Sequence, residues 1–408
     1  MTAGERTDGS STRSLGLRIG FVYCGFFLFI GMFMPYWPAW LADRGIGAAA
    51  IGLLVALTQA LKIITSPLIA QLSDRSGKRR RVLSTVAVLA VVTFSLYWGA
   101  DGLLALAVVT LVSHAFIPAL LPLTEQIAMS SVRRGGINYG RVRASGSAAF
   151  IVAALAGGVL VDRFDTGVVL PFCLAALALT WVATLLLPGD DKSGPGTSGH
   201  KAGKFRGKAL GFGPIVDLLR QPDFRITIII ISLLQASHGV YYALATIHWR
   251  AMGLDTTIVG VLWVVAVMAE IILFVVAGNR VAAMSPVKVF AMVGALGAVR
   301  WAITAIAIDP WVLGVTQSLH AMTYGATHLA TMAYLARAVP ESRAATAQAI
   351  YSAGPMGIAI GLVLAGAGAL YTVAGGGAFH AMAVLCAGAV VLCPMMARSL
   401  TKEERLRS

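Results

Sequence analysis

The sequence predicts an all-α membrane protein with twelve transmembrane helices in two six-helix bundles. Three observations carry that expectation. Charged residues are 12% of the 408, whereas 58% are hydrophobic and the mean hydropathy is +0.80; soluble domains carry about 25% charged residues. Such a chain has too few polar side chains to cover a water-facing surface. Second, apolar runs of spanning length, about 20 residues each, follow one another along the chain. They are continuous rather than alternating, which excludes a β-barrel. Third, the cations are concentrated in every other connection.

In order, residues 1–16 form a polar tail, and no small-residue cleavage site separates Met1 to Ser14 from the first run. That run is therefore a retained span, not a signal peptide. The first bundle, 17–187, contains runs at about 17–40, 49–72, 82–100, 103–128, 144–161 and 167–187. Only Gly99, Asp101 and Gly102 separate the third run from the fourth. A glycine-rich polar stretch from Pro188 to Pro214 opens a central linker, 188–223. The second bundle, 224–397, contains runs at about 224–248, 258–278, 287–307, 311–336, 347–371 and 376–397, and 398–408 is a polar tail.

Net charge is +14, which in a soluble chain would suggest a nucleic-acid partner. Its distribution gives another reading. With the N-terminus inside, 27 Lys and Arg fall on the cytoplasmic side, and only Arg44, Arg163 and Arg250 on the other. This is the positive-inside pattern. It predicts a multi-pass protein of the cell (inner) membrane with both termini cytoplasmic, a lipid bilayer as its surroundings, and no nucleic acid. Cys24, Cys173, Cys386 and Cys393 lie in separate apolar runs without metal spacing, and read as packing residues.

The halves repeat each other. Val109-Thr110-x-x-x-His114-Ala115 recurs as Val315-Thr316-x-x-x-His320-Ala321, an offset of 206, and Asp74-Arg75 faces Asn279-Arg280 at nearly the same offset. Parallel six-helix repeats with a site at mid-membrane are a transporter plan.

The connection between runs 2 and 3 reads Ala70-Gln71-Leu72-Ser73-Asp74-Arg75-Ser76-Gly77-Lys78-Arg79-Arg80. It resembles the G-x-L-x-D-R-x-G-R-R-x loop of the major facilitator superfamily, with Ala70 for the first glycine and Lys78 for the first basic Arg. Asp74, Arg75 and Gly77 would gate the inward face rather than select a substrate. An ordinary positive-inside loop is the plainer alternative.

Ionisable residues within the runs are sharper evidence. Lys62, His114, Glu125, His238, Glu270, Arg300, His320 and His328 all lie in apolar segments, and Arg143 opens run 5. A charge at a helix centre costs about 2.5–3.5 kcal/mol, so such residues pair or line a cavity. A structural ion pair or a snorkelling side chain is the alternative for each, and a histidine that satisfies a buried acceptor for His114 and His328. Glu125 and Arg143 bracket one hairpin at similar depth and could pair directly. After them comes a small-residue face, Ala148, Ala149, Ala153 and Gly157, which lets helices approach closely. Gln317, His320, Tyr324 and His328 follow helical spacing on one face. No acid-rich partner accompanies them and no P-loop occurs, so neither a metal site, nor a catalytic centre, nor ATP-driven transport is expected.

Glu125, the Tyr139-Gly140-Arg141-Val142-Arg143 segment, Glu270, Val299-Arg300 and Leu319-His320 together resemble the lactose permease group. Pro122 to Glu125, Leu233 to Tyr242, Val299 to Trp301 and Leu319 to His328 are closer to the 3-phenylpropionate (cinnamate) permease branch, which is related to the nucleoside–proton symporters. The resemblance runs from about residue 18 to 397. It implies that Glu125 and Arg143 hold substrate, and that Glu270, Arg300 and His320 serve substrate and proton coupling. The group's proton relay has a carboxylate three residues after the histidine and a lysine three before it; here these are Thr323 and Gln317. The proton carrier then shifts to Glu270, near mid-membrane, where desolvation favours a neutral carboxyl, with His320 as its relay.

The deep charges are three cations (Lys62, Arg143, Arg300) and two anions (Glu125, Glu270). With neutral histidines, one monoanion would balance them. Tyr23, Phe26, Phe33 and Trp37 on run 1 and Tyr241 and Tyr242 beside His238 could supply apolar walls; interfacial packing is the alternative reading of these rings. The expected function is proton-coupled symport of a small organic acid, an aromatic carboxylate of 3-phenylpropionate or cinnamate type, by alternating access in a monomer, with the proton gradient and no cofactor. The alternatives are a proton-coupled exporter of hydrophobic compounds, a sugar or nucleoside symporter, and a non-transporting membrane sensor.

Overall fold

The computed structural model describes residues 3–133, 137–189 and 213–407. Every described element is helical. Part of the linker between the two halves lies outside the described residues. In order the α-helices are α1 (Ala3–Asp43), α2 (Ala48–Ser76), α3 (Arg79–Ser95), α4 (Gly102–His114), α5 (Leu120–Arg133), α6 (Tyr139–Phe164), α7 (Val169–Leu185) and α8 (Gly213–Arg220). Then come α9 (Pro222–Ala236), α10 (Gly239–Ala251), α11 (Thr256–Ala283), α12 (Pro286–Thr304), α13 (Pro310–Ser318), α14 (Thr327–Ala338), α15 (Ala344–Ala353), α16 (Ile360–Ala374) and α17 (Ala378–Arg407).

Among the described residues, ten stretches are long and apolar enough to cross a membrane. Two features explain the difference from twelve separate runs. The expected runs 347–371 and 376–397 lie in one helical stretch, Ala344–Leu400, interrupted at Gly375–Gly377, where Gly375 takes φ +54°. The run expected at 311–336 is not one regular helix. It is α13, a π-helical segment over Ala321–Ala326, and α14. A second π segment covers Gly354–Ala359 between α15 and α16. Such wide turns recur where side chains must be re-aimed for function.

By packing, the chain divides into two compact units: Met1–Ile46 with Ala60–Gly203, and Gly47–Gln59 with Lys204–Ser408. In the first unit, α1 packs on α6 and α7 through small residues. A Cβ on Gly31 would lie 2.6 Å from the Phe150 carbonyl oxygen, and one on Gly25 would lie 2.7 Å from the Thr180 nitrogen. The small face of α6 is used here: Ala153 faces Gly31, and Gly157 receives the Tyr36 ring, whose hydroxyl donates to the Ala154 carbonyl at 2.5 Å. The core of this unit is an aromatic ladder. Phe29, Phe33, Trp37 and Trp40 stack successively along α1, against Phe94 and Tyr97.

The second unit includes the start of α2 for a steric reason. Gly52 lies against α16, where a Cβ would stand 2.7 Å from the Leu364 carbonyl oxygen and 3.0 Å from the Gly368 nitrogen. Its core holds Trp249, Trp301, Tyr241, Phe290 and Phe379, together with one guanidinium, that of Arg300.

Candidate functional site

The polar core of the second unit is built around Arg300, in the last turns of α12. The residue is 0% exposed. Nη1 donates to Thr323 Oγ1 at 2.7 Å and lies 3.4 Å from His320 Nδ1, while Nη2 donates to Gln317 Oε1 at 3.1 Å. Its Cζ sits 4.1 Å from the Trp301 ring centroid and 5.4 Å from that of Tyr241. Among the described residues, no carboxylate lies within ion-pair distance of it. A buried charge is costly unless it is paired and hydrogen-bonded. Here hydrogen bonds and ring faces stand where a counter-ion would, and Nε has no hydrogen-bond partner.

The π segment supplies the geometry. It follows His320 directly and carries Thr323 and Tyr324, so Gln317, His320, Tyr324 and His328, expected on one face, do not follow a regular α-helical stripe. Instead the His320 and Tyr324 rings stack with centroids 5.3 Å apart and planes 6° apart. His238, the residue between α9 and α10, contacts Thr323 Oγ1 through Nε2 at 3.2 Å and the Gln235 carbonyl oxygen through Nδ1 at 3.3 Å. Its ring meets those of Tyr242, Trp301, His320 and Tyr324. Tyr241 stacks on Trp263 at 4.5 Å, and its buried hydroxyl has no hydrogen-bond partner.

Glu270 is half-buried on α11, which packs on the π segment; a Cβ on Gly325 would lie 3.3 Å from Glu270 Cγ. Its carboxyl is within electrostatic reach of the Tyr242 and Tyr324 hydroxyls. His328, at the start of α14, meets the Tyr351 hydroxyl through Nδ1 at 3.0 Å. The structure thus gathers His238, Tyr241, Tyr242, Arg300, Gln317, His320 and Tyr324 into one cluster, with Glu270 and His328 at its borders.

A second cluster lies in the first unit. Arg143 Nε is 3.8 Å from Glu125 Oε1, and Glu125 Oε2 accepts from the Tyr139 hydroxyl at 2.9 Å. The guanidinium lies 4.5 Å from the Phe27 ring centroid and 5.9 Å from that of Tyr23. Among the described residues, Nη1 of Arg143 is buried without a hydrogen-bond partner. The direct Glu125–Arg143 pair expected from the hairpin is present. Lys62 is exposed and has no ion-pair partner among the described residues of this unit. His114 is buried; its Nδ1 lies 3.2 Å from Ser113 Oγ.

At the gating loop, Asp74 and Arg75 are exposed and Asp74 Oδ1 lies 3.6 Å from Arg79 Nη2. Gly77 takes φ +65°, a conformation that favours glycine. Arg80 donates to the carbonyl oxygens of Thr184 and Leu185 at the end of α7, a cation at a helix C-terminus.

Four contributors were not singled out by sequence reasoning. Trp301 followed Arg300 in the quoted tripeptide, and Tyr139 opened the quoted hairpin segment. Thr323 entered only as a departure from the relay pattern, although it is the hub of the cluster. Tyr351 carried no signal beyond being a polar ring in an apolar run.

Comparison with known proteins adds to this geometry. The model of the MFS_1 like family matches residues 17–381. The chain is 32% identical over 394 residues to the Escherichia coli (strain K12) protein named "Probable 3-phenylpropionic acid transporter", covering 95% of this chain and 99% of that one. It is 28% identical over 340 residues to the maltose permease of Geobacillus stearothermophilus, 82% of each. Among solved structures, a mutant form of the nucleoside transporter NupG superposes with a TM-score of 0.82 at 15% identity, covering 94% of this chain and 99% of that one. At that identity the likeness concerns the fold.

Proposed function

The chain belongs to the MFS_1 like family, a family of membrane transporters rather than enzymes, and from that premise we propose that it carries a small organic acid together with a proton by alternating access. The observation that carries this reading is Arg300: a fully buried guanidinium whose polar partners are Thr323, Gln317 and His320, with no carboxylate among the described residues in ion-pair range. Such a cation favours a carboxylate solute, because guanidinium binds carboxylate through parallel charge-assisted hydrogen bonds. The rings of Tyr241, Tyr242, Trp263 and Trp301 around it suit an aromatic acid. The relative named as a 3-phenylpropionic acid transporter supports the same class.

Under this proposal twelve helices form two bundles in the cell (inner) membrane, both termini are cytoplasmic, and the protein works as a monomer driven by the proton gradient without a cofactor. Glu270 carries the proton and His320 relays it. Arg143 with Glu125 binds solute in the first unit, and the loop at Asp74, Arg75 and Gly77 gates the inward face. Lys62 contributes positive charge.

A neutral polar solute is the second reading, favoured by the maltose permease relative. A thermal-shift screen of purified protein against aromatic acids, sugars and nucleosides separates the two. Stabilisation by 3-phenylpropionate or cinnamate, abolished in Arg300→Gln, supports the acid; stabilisation by sugars or nucleosides alone overturns it.

A further inference from the structure

Buried polar groups are nearly always hydrogen-bonded. Gln235 is an exception that the Arg300 cluster does not absorb. It is 0% exposed in α9, and among the described residues its amide has no well-formed hydrogen bond, the Tyr351 hydroxyl being its loose partner. An amide offers two donors and two lone pairs, so most of its capacity is unused beside the single Tyr351 hydroxyl.

Its surroundings are polar on one side. The Tyr351 hydroxyl lies beside the Gln235 side chain and meets His328 Nδ1 at 3.0 Å. The π segment Gly354–Ala359 follows Tyr351 within three residues and packs on α9, which holds this end of α15 against Gln235. Tyr324, stacked on His320, is within electrostatic reach of Tyr351. The Gln235 group therefore adjoins the Arg300 cluster: Gln235 stands three residues before His238, and its own carbonyl receives the His238 ring. His328 and Tyr324 are half-buried.

The two groups suit different chemistry. Arg300 takes charge. An amide, a phenol and an imidazole cannot neutralise a carboxylate, but together they can donate to and accept from a hydroxyl. We propose that Gln235, Tyr351 and His328 form a specificity tier that reads an uncharged hydrogen-bonding group on the solute. The preferred substrate is then an aromatic carboxylate with a hydroxyl on its ring, away from the acid. This rests on the organic-acid reading above.

The experiment is calorimetric binding to the purified full chain, comparing 3-phenylpropionate with its ring-hydroxylated derivative. The expected result is that the wild type binds the hydroxylated acid about tenfold more tightly, the worth of one or two neutral hydrogen bonds. Gln235→Met, close in shape, should remove that preference while leaving affinity for the parent acid within about twofold, and Tyr351→Phe should reduce it. A structural role alone would shift both affinities together and keep the ratio. Equal wild-type affinities for the two acids, or a preference that survives in Gln235→Met, would overturn the tier. If neither acid binds the wild type, the organic-acid reading fails and the tier falls with it, a result distinct from binding without preference.

Discussion

Arg300 Nη1 donates to Thr323 Oγ1 at 2.7 Å, and the same hydroxyl lies 3.2 Å from His238 Nε2. The bond directions follow from the donor inventory. The guanidinium only donates, so Thr323 accepts from it, and its single hydroxyl proton faces two acceptors, the Leu319 carbonyl oxygen at 3.2 Å and His238 Nε2. His238 then carries its proton on Nδ1 and donates to the Gln235 carbonyl oxygen. Arginine, threonine, histidine and a backbone carbonyl form one connected polar chain across α12, the π segment and the α9–α10 junction, and this fixes the guanidinium in place.

Thr323→Val should break that chain. It leaves Arg300 Nη1 and His238 Nε2 short of a partner, at a cost of about 1–3 kcal/mol for buried polar groups. Thr323→Ser restores the hydroxyl and should recover most of the loss. Thermal unfolding of the purified variants measures both.

Arg143→Lys should weaken solute binding by about 1–3 kcal/mol, because lysine cannot copy the planar two-bond grip. Arg143 also stacks near Phe27 and pairs with Glu125, so the control is normal insertion and thermal stability of the variant. Unchanged affinity in a well-inserted Arg143→Ala would assign the residue to structure alone.

Gly52→Ala should destabilise the second unit by about 1–3 kcal/mol, the usual cost of overpacking, since its Cβ would press on the Leu364 carbonyl. Gly314→Ala is the control. Its Cβ meets nothing within 4 Å in α13, and the change should be neutral or stabilising by up to about 1 kcal/mol through helix propensity. A melting comparison of the two variants checks the sign of each.

Gly77→Ala should cost about 1–2 kcal/mol, since the backbone sits at φ +65° with open space around it. The penalty is backbone strain and not a clash, so Gly77→Asn, which tolerates this region better, should cost less. Thermal unfolding again distinguishes them.

The membrane class, the all-helical fold and the break at Gly99 to Gly102 were legible because hydropathy and charge act locally along the chain. The polar candidates Arg300, His320, Gln317 and His238 were legible singly, because a polar side chain within an apolar run stands out. Two things were not. Hydropathy does not distinguish α from π turns, so the re-aiming of Thr323 and Tyr324 by the segment Ala321–Ala326 was invisible. The membership of Gly47–Gln59 in the second unit depends on the fit of Gly52 against α16, a steric matter that composition does not report. Gln235 is a third kind of case. Its residue type was visible in Leu233 to Tyr242, but the complete burial beside Tyr351 that makes it informative belongs to the folded structure.

The central claim is that a proton carried by Glu270 drives the accumulation of an organic acid. Proteoliposomes with an imposed pH gradient and labelled 3-phenylpropionate test it most directly, beside exchange of labelled for unlabelled acid without a gradient. The wild type should concentrate the acid when the gradient is imposed. Glu270→Gln, fixed in the neutral form, should exchange the acid at a comparable rate yet fail to concentrate it. A wild type indifferent to the gradient, or a Glu270→Gln variant that still concentrates the acid in response to it, would contradict the account.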